Sequence, residues 1–433
     1  MNFFLSLARL LWGDITKEEI RRFGLLSLIS FSFIATYSVL RPLKEILFMR
    51  YVGTFYLPSA KIASFIIMIP LTLFYSELVD RVEKHQLFYV FCSLYGCFFI
   101  GVAYLLAHPN LGLTTAVAHP LGFIGWAIYI GIESFVMIML ALFWSFVASS
   151  TKAESAKRCY PLVMGVSQIG SIAGPQLVKH ASSLGIPILV AGAGLSMFII
   201  IAIIRAFVIY NPDVIKVEKS KRPTGPIEGL RLIVTRPYLL AFISTTALYT
   251  MVSGILEYQM MHRIEEHFTT IEQMAAFTAS LVQTTNLVAL FFAFVGSSIF
   301  MRKLGVRGCM VAFPLLVLGM ITYVWYSPTI WVLFAAIVTL KSLSYALNTP
   351  CKESLYIPTS IDIKFKAKSW IDGVGYRGFY AVGASINTVF SSTTALMSFA
   401  PLIAMSMCGV WSGIAWYLGT KNQQLIAEKK IID

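Results

Sequence analysis

The sequence predicts an all-α membrane protein of twelve transmembrane helices, arranged as a six-plus-six pseudo-repeat. Three observations predict it. The 433 residues are 57% hydrophobic and only 13% charged, with a mean hydropathy of +0.75, whereas a soluble domain carries about 25% charged residues. The apolar residues collect into twelve stretches, near 23–40, 58–79, 87–107, 121–148, 159–178, 184–208, 238–258, 274–299, 306–326, 329–347, 370–393 and 398–418. Most of these reach the roughly 20 residues that cross a hydrocarbon layer. The positive charge then falls in every second gap. Counting Arg205 and Arg307, at the edges of their stretches, with the adjoining gaps, the N-terminus, five alternate gaps and the C-terminus hold 4, 2, 3, 7, 3, 4 and 3 Lys plus Arg, 26 of the 34. The intervening gaps hold 5, and Lys61, Lys341 and Arg377 lie within stretches. Basic loops resist translocation, so both termini are expected in the cytoplasm and the number of spans is even.

Taken in order, residues 1–22 form an amphipathic segment whose Phe3–Trp12 part suits a membrane interface. Thr16 followed by Glu19 reads as a capping box opening the first span. A first six-helix bundle is expected at 23–208, a cytoplasmic linker at 209–237, a second bundle at 238–420 and a cytoplasmic tail at 421–433. The linker region is the longest hydrophilic gap, punctuated by Asn211-Pro212, Pro223, Gly225-Pro226 and Arg236-Pro237. A charged linker at the midpoint is the arrangement of the major-facilitator architecture, in which two parallel repeats surround a midplane site.

Weak internal symmetry agrees. Short basic turns follow the second span (Glu77 to Arg81) and the eighth (Arg302 to Arg307), and Lys-rich segments precede the fifth (Lys152, Lys157) and the eleventh (Lys364, Lys366, Lys368). The fifth and eleventh spans are both Gly-rich: Gly165, Gly170 and Gly174 in one, Gly373, Gly375, Gly378 and Gly383 in the other. Small residues let helix backbones approach closely, either as ordinary tight packing or as a surface on which the halves rock.

The net charge of +13 does not signal nucleic acid, because it sits on loops that would face anionic lipid. The six cysteines show neither a secreted framework nor metal-type spacing, so free thiols and no cofactor are expected.

The informative residues are the charges inside the spans, each costing about 2.5–3.5 kcal/mol on insertion scales and therefore retained for a partner or a cavity. Arg41-Pro42-Leu43-Lys44-Glu45 closes the first span, with Pro42 expected to break the helix. Lys61 lies just inside the second span, Glu133 within the fourth, and Glu257 at the end of the seventh. Lys352-Glu353 end the tenth, with Lys341 three turns earlier, and Arg377 lies in the eleventh. Plainer readings stand beside these. Lys44 can snorkel to headgroups, Lys341 and Lys352 can anchor a boundary, and Glu133 and Glu257 can be structural ion-pair partners or proton carriers. Basic residues outnumber acidic ones in this set, which suits an anionic solute.

At these positions the chain resembles the non-mitochondrial ATP/ADP translocase family, the nucleotide transport proteins of intracellular bacteria and plastids. Leu40-Arg41-Pro42-Leu43-Lys44-Glu45 is similar to its Leu-Arg-Thr-Leu-Lys-Asp, with Pro42 and Glu45 as departures. Leu142-Phe143-Trp144 and Glu154-Ser-Ala-Lys157-Arg-Cys-Tyr160-Pro161-Leu162 resemble its Leu-Phe-Trp and Glu-Ala-Lys-Arg-Phe-Tyr-Pro-Leu. Pro350-Cys351-Lys352-Glu353, Tyr356-Ile357-Pro358 and Lys366-Ala-Lys368-Ser-Trp-Ile371-Asp372 resemble its Pro-Cys-Lys-Glu, Tyr-Ile-Pro and Lys-Gly-Lys-Ala-Ala-Ile-Asp. Gly375-Tyr-Arg377-Gly378 stands where the family has Gly-Lys-Ser-Gly-Gly.

The resemblance implies a twelve-span transporter of nucleotides whose phosphates are bound by Lys44, Glu133, Glu257 and Lys352. Arg41 and Arg377 complete the expected substrate-binding set. It also implies a multi-pass protein of a bacterial inner membrane, since no Ser/Arg-rich transit segment precedes the first span. The expected partners are a nucleotide or other anionic solute and membrane lipid, and the expected assembly state is a monomer.

Two readings compete with this one. The first is a major-facilitator-type, proton-coupled transporter of another anionic solute, driven through Glu133 or Glu257. The second is a polytopic enzyme, for which only His262-Arg-Ile-Glu265-Glu266-His267 is dense in titratable groups. His267 would point about 140° away from His262 on a helix, so neither an enzyme nor a metal site is expected there, and a wet loop is.

Overall fold

A computed structural model describes residues 17–151, 153–211, 231, 233–292, 297–360, 363, 371, 375–390, 392–428 and 431–432. The amphipathic segment Phe3–Trp12, Thr16, most of the linker and the Lys364–Lys368 run lie outside the described residues. Backbone groups in hydrocarbon must bond within their own segment, and the described chain is built accordingly. Its helices are α1 Lys17–Tyr51, α2 Leu57–Arg81, α3 Lys84–Ala107, α4 Phe123–Ser150, α5 Ala153–Val178, α6 Ile186–Tyr210, α7 Pro237–His267, α8 Ile271–Phe291, α9 Ser297–Tyr326, α10 Ile330–Leu355, α11 Tyr376–Ile386 and α12 Thr393–Ala427. Each apolar stretch carries one of them. Among the described residues ten are long and apolar enough to cross a membrane, while α5 contributes the shorter apolar run Leu162–Val178 and α11 covers 11 residues. A single parallel bridge joins Thr359 to Ile432 among the described residues.

Two local expectations are corrected. Pro42 does not end the first helix, which continues to Tyr51. A proline's fixed φ fits a helix, and its cost is the one backbone bond it cannot donate. The segment from His262 to His267 is the last part of α7 and not a loop. Within α10 the regular helix Ile330–Leu343 passes through a five-residue π turn, Ser344–Asn348, before resuming as Thr349–Leu355.

The residue contacts divide the chain into two compact units. One holds α1, α2 from Ile67 onward, α3 to α6, and α8 up to Gln283; the other holds Gly53–Ile66, α7, α8 from Thr284, and α9 to α12.

In the first unit α1 is the spine, packed by α4, α5 and α6. Glycine allows α5 to lie against it: a Cβ on Gly174 would sit 2.6 Å from the Ala35 carbonyl oxygen and 2.7 Å from Ser38 Cβ. Hydroxyl pairs tie the same helices, Ser30 to Ser167 and Thr36 to Ser196. Gln283 of α8 donates to the Ile172 carbonyl at 3.1 Å and to Gln176 at 3.0 Å on α5. Phe33, Tyr95, Phe99 and Phe135 form an edge-to-face aromatic cluster around Phe135, a favoured geometry for buried rings.

In the second unit α7 is the central helix, with α11 and α12 packed on it. The α7–α11 approach is closer still. A Cβ on Gly383 would lie 2.3 Å from the Met251 carbonyl oxygen, and one on Gly254 would lie 2.6 Å from that of Tyr380. At the first turn of α7, Tyr238 donates to the Leu355 carbonyl at 2.8 Å and accepts from Asn422 at 3.0 Å. Those bonds sit among buried Ile233, Leu239, Phe242, Leu418 and Leu425.

The close approach makes a stability prediction. Gly383→Ala is expected to destabilise the protein by about 1–3 kcal/mol, the range for overpacking a tight contact. Gly409→Ala on α12, where a Cβ meets nothing within 4 Å, is expected to be neutral or to stabilise by up to about 1 kcal/mol through helix propensity. Thermal unfolding of the purified variants checks this, and equal melting temperatures would discard the close-approach account.

Candidate functional site

Each unit sets a partly buried carboxylate against lysine. In the first, Lys44 of α1 is only 7% exposed, and its ammonium donates to the Glu133 carboxylate of α4. The pair is set by helical spacing. Phe48 lies one turn after Lys44, and Tyr129 one turn before Glu133. The Tyr129 ring packs edge-to-face on Phe48 at 5.2 Å, while the Lys44 ammonium sits 4.7 Å above the Tyr129 ring centroid. Side chains four apart share a helix face, so α1 offers Lys44 and Phe48 where α4 offers Glu133 and Tyr129. Trp126, about one turn before Tyr129, packs edge-to-face on Phe48 at 5.2 Å as well. Arg41 lies one turn before Lys44 and is partly buried.

In the second unit Glu257 of α7 is the acceptor for three groups. Its Oε1 accepts from Lys341 Nζ of α10 at 2.7 Å and from Ser253 Oγ, one turn earlier on α7, at 2.9 Å. Its Oε2 accepts from the Tyr380 hydroxyl of α11. Behind that phenol, Lys61 Nζ donates to the Tyr380 oxygen at 3.1 Å and lies 4.3 Å from the ring centroid. Lys61 is 7% exposed. The residues Gly53–Ile66 that carry it belong to this unit, held also by Thr54, which donates to Glu265 near the end of α7.

Lys352 is partly buried on the last segment of α10, about 16 Å beyond Lys341 at roughly 1.5 Å per helical residue. Arg377 is partly buried one turn before Tyr380. The sequence reasoning did not single out Tyr380, Tyr129 or Ser253. Ser253 had a signal, its spacing of one helical turn from Glu257. The two tyrosines had none, since their partners arrive from distant helices. At the end of α7, Arg263 pairs with Glu266 at 3.0 Å and His262 stacks on Tyr258. Among the described residues no group of three His, Cys, Asp or Glu side chains is arranged to hold a metal ion. Cys92, Cys97, Cys309, Cys351 and Cys408 are free thiols.

The chemistry these groups offer is exchange of counter-ions. A lysine held by a carboxylate inside apolar helices stays charged and oriented, and an incoming anion can take the carboxylate's place. Coulomb attraction at such desolvated positions exceeds that in water several-fold.

The family model described as TLC ATP/ADP transporter matches residues 1–421. ADP,ATP carrier protein 1 of Chlamydia muridarum is 26% identical, with 94% of this chain and 89% of that protein covered. ADP,ATP carrier protein 4 of Rickettsia felis is 25% identical, with 86% and 85% covered. Among solved structures, a bacterial homologue of the iron transporter ferroportin in its inward-facing state superimposes with a TM-score of 0.67 at 13% identity, covering 94% of this chain and 100% of that chain. The nucleoside transporter NupG superimposes with a TM-score of 0.56 at 12% identity, covering 95% and 99%. At such identities these structures show the fold, which is the major-facilitator-like arrangement expected from the sequence.

The first charge pair makes a prediction of its own. Lys44→Gln takes the ammonium from the Glu133 carboxylate and is expected to cost about 1.5–3 kcal/mol of stability, the scale of a hydrogen bond to a charged group. Lys44→Gln combined with Glu133→Gln removes both charges and is expected to recover most of that loss. Melting temperatures of the wild type, both single variants and the double variant form a double-mutant cycle. A cycle with no coupling would mean that the two side chains act independently.

Proposed function

We propose that this chain, which belongs to the TLC ATP/ADP transporter family, moves nucleotides across a membrane by alternating access. The observation that carries the reading is the buried Lys44–Glu133 pair. Charges inside membrane-spanning apolar helices are costly to keep, and phosphate recognition supplies a reason to keep them. The relatives named as ADP,ATP carriers support the substrate class.

In this reading Lys44 and Arg41 engage phosphate oxygens, and Glu133 holds Lys44 in place while the site is empty. Glu257, Lys352 and Arg377 are the substrate-binding residues of the second half of the sequence in this reading. The carboxylates yield their lysines to the more highly charged polyphosphate. Exchange of ATP for ADP then moves about one net charge, worth about 2.3 kcal/mol per 100 mV. The protein is a multi-pass membrane protein. We assign both termini to the cytoplasm because 26 of the 34 basic residues fall in the terminal and alternate loops, and we propose a bacterial inner membrane, given its Chlamydia and Rickettsia relatives, and a monomer.

The test is uptake of radiolabelled ATP, ADP and other nucleotides by cells expressing the chain, and by proteoliposomes loaded with unlabelled counter-substrate. Counterflow that rises with internal nucleotide and responds to an imposed membrane potential is the expected outcome. Lys44→Gln is expected to lower exchange about a hundredfold, the scale of losing a desolvated charge contact. The Lys44→Gln, Glu133→Gln double variant is expected to stay inactive despite its recovered stability. Absence of nucleotide uptake together with uptake of another anion under a pH gradient would replace this reading with proton-coupled transport.

A further inference from the structure

We propose that Lys341 is the cation Glu257 yields to the substrate's phosphate, and that Lys61, acting through Tyr380, is the positioning pair that keeps Glu257 compensated meanwhile. This deepens the nucleotide-transport reading and rests on it.

The polarity of the hydrogen bonds supplies the argument. An ammonium has donors and no acceptor, so Lys61 must donate to the Tyr380 oxygen at 3.1 Å. The phenol's single proton is then committed to Glu257 Oε2. The chain runs one way, from Lys61 through Tyr380 to Glu257, and a cationic donor on the phenol oxygen strengthens the phenol's own donation. Tyr380 thereby conveys the Lys61 charge to a carboxylate that Lys61 does not itself bond.

The two oxygens of Glu257 are served differently. Lys341 and Ser253 share Oε1, and Tyr380 holds Oε2. Lys341 is also the more accessible lysine. Its side chain is 19% exposed, whereas Lys61 is 7% exposed and covered by the Tyr380 ring. An arriving anion therefore meets Lys341 first. When Lys341 swings to it, Ser253 and Tyr380 still donate to Glu257, with the Lys61 charge behind the phenol. Without the phenol, the departing lysine would leave a carboxylate among apolar helices with one hydroxyl donor, and the least costly form of such a group is the neutral acid.

The test uses purified full-length protein in lipid nanodiscs and proteoliposomes, with ATP and ADP as probes. Tyr380→Phe keeps the ring and deletes the hydroxyl. Lys61→Gln deletes the charge, and Lys61→Arg retains a cationic donor. The ligand-free melting temperature of Tyr380→Phe is expected to fall, because Lys61 loses an acceptor while Lys341 still pairs with Glu257, so affinity is read on folded protein below that temperature. Nucleotide affinity is expected to fall about tenfold in Tyr380→Phe and Lys61→Gln, the scale of one hydrogen bond to a charged group. Lys61→Arg is expected to recover most of that loss.

Infrared difference spectra supply a readout that a packing role would not move. On nucleotide binding Tyr380→Phe is expected to show a protonated-carboxyl band that the wild type lacks, and added Glu257→Gln is expected to abolish it. Wild-type affinity in Tyr380→Phe, or a binding spectrum without that band, overturns this inference while leaving nucleotide transport intact. Failure of the wild-type protein to bind or exchange any nucleotide overturns the transport reading, and this one with it.

Discussion

A charge taken out of water needs a counter-charge within reach, and that requirement organises both units. Lys44 and Glu133 meet where α1 and α4 are lined by Phe48, Tyr129 and Trp126. The helices must hold a fixed register to keep the pair closed. This makes sense of Pro42. A break at that position would turn Lys44 off the face that meets α4. The helix instead continues through the proline to Tyr51. The Ser38 carbonyl, which Pro42 cannot serve, lies on the stretch that Gly174 of α5 packs against.

The second unit meets the same requirement with a different construction. Its carboxylate is bonded by Lys341 from α10, Tyr380 from α11 and Ser253 one turn earlier on α7, with Lys61 from α2 behind the phenol. Tyr380 can reach Glu257 only because α11 lies directly on α7, and that approach exists because Gly254 and Gly383 face each other's backbones. Packing and electrostatics are therefore not separable here. A methyl group at Gly383 would push away the helix that carries the phenol.

Much of this was legible in the sequence. The alternation of basic loops and the twelve apolar stretches anticipated each of α1 to α12, though not their ends. Insertion cost alone drew attention to Lys44, Lys61, Glu133, Glu257 and Lys341, and those five make up the two clusters together with their tyrosines and Ser253. What the sequence could not show was who meets whom. A pairing such as Glu257 with Lys341, or Lys61 with Tyr380, depends on tertiary approach and leaves no periodic trace. The extent of α7 was misread because His262, Arg263, Glu265, Glu266 and His267 look like a wet loop. As helix, they place Glu265 against Thr54 and Arg263 against Glu266.

The π turn in α10 sets Lys341 and Lys352 on different faces despite their spacing. On an uninterrupted α-helix, positions 341 and 352 differ by about 20° at 100° per residue and would share one face. Ser344–Asn348 lies between them as a π turn, which takes about 4.4 residues per turn and so rotates less per residue. Over five residues the deficit accumulates to roughly a quarter turn. Lys352 is swung off the face from which Lys341 reaches Glu257, as well as being displaced along the axis. A regular helix would have kept both lysines on one face, about 16 Å apart along the axis. The interrupted one separates them, leaving Lys341 for Glu257 and Lys352 for a different direction.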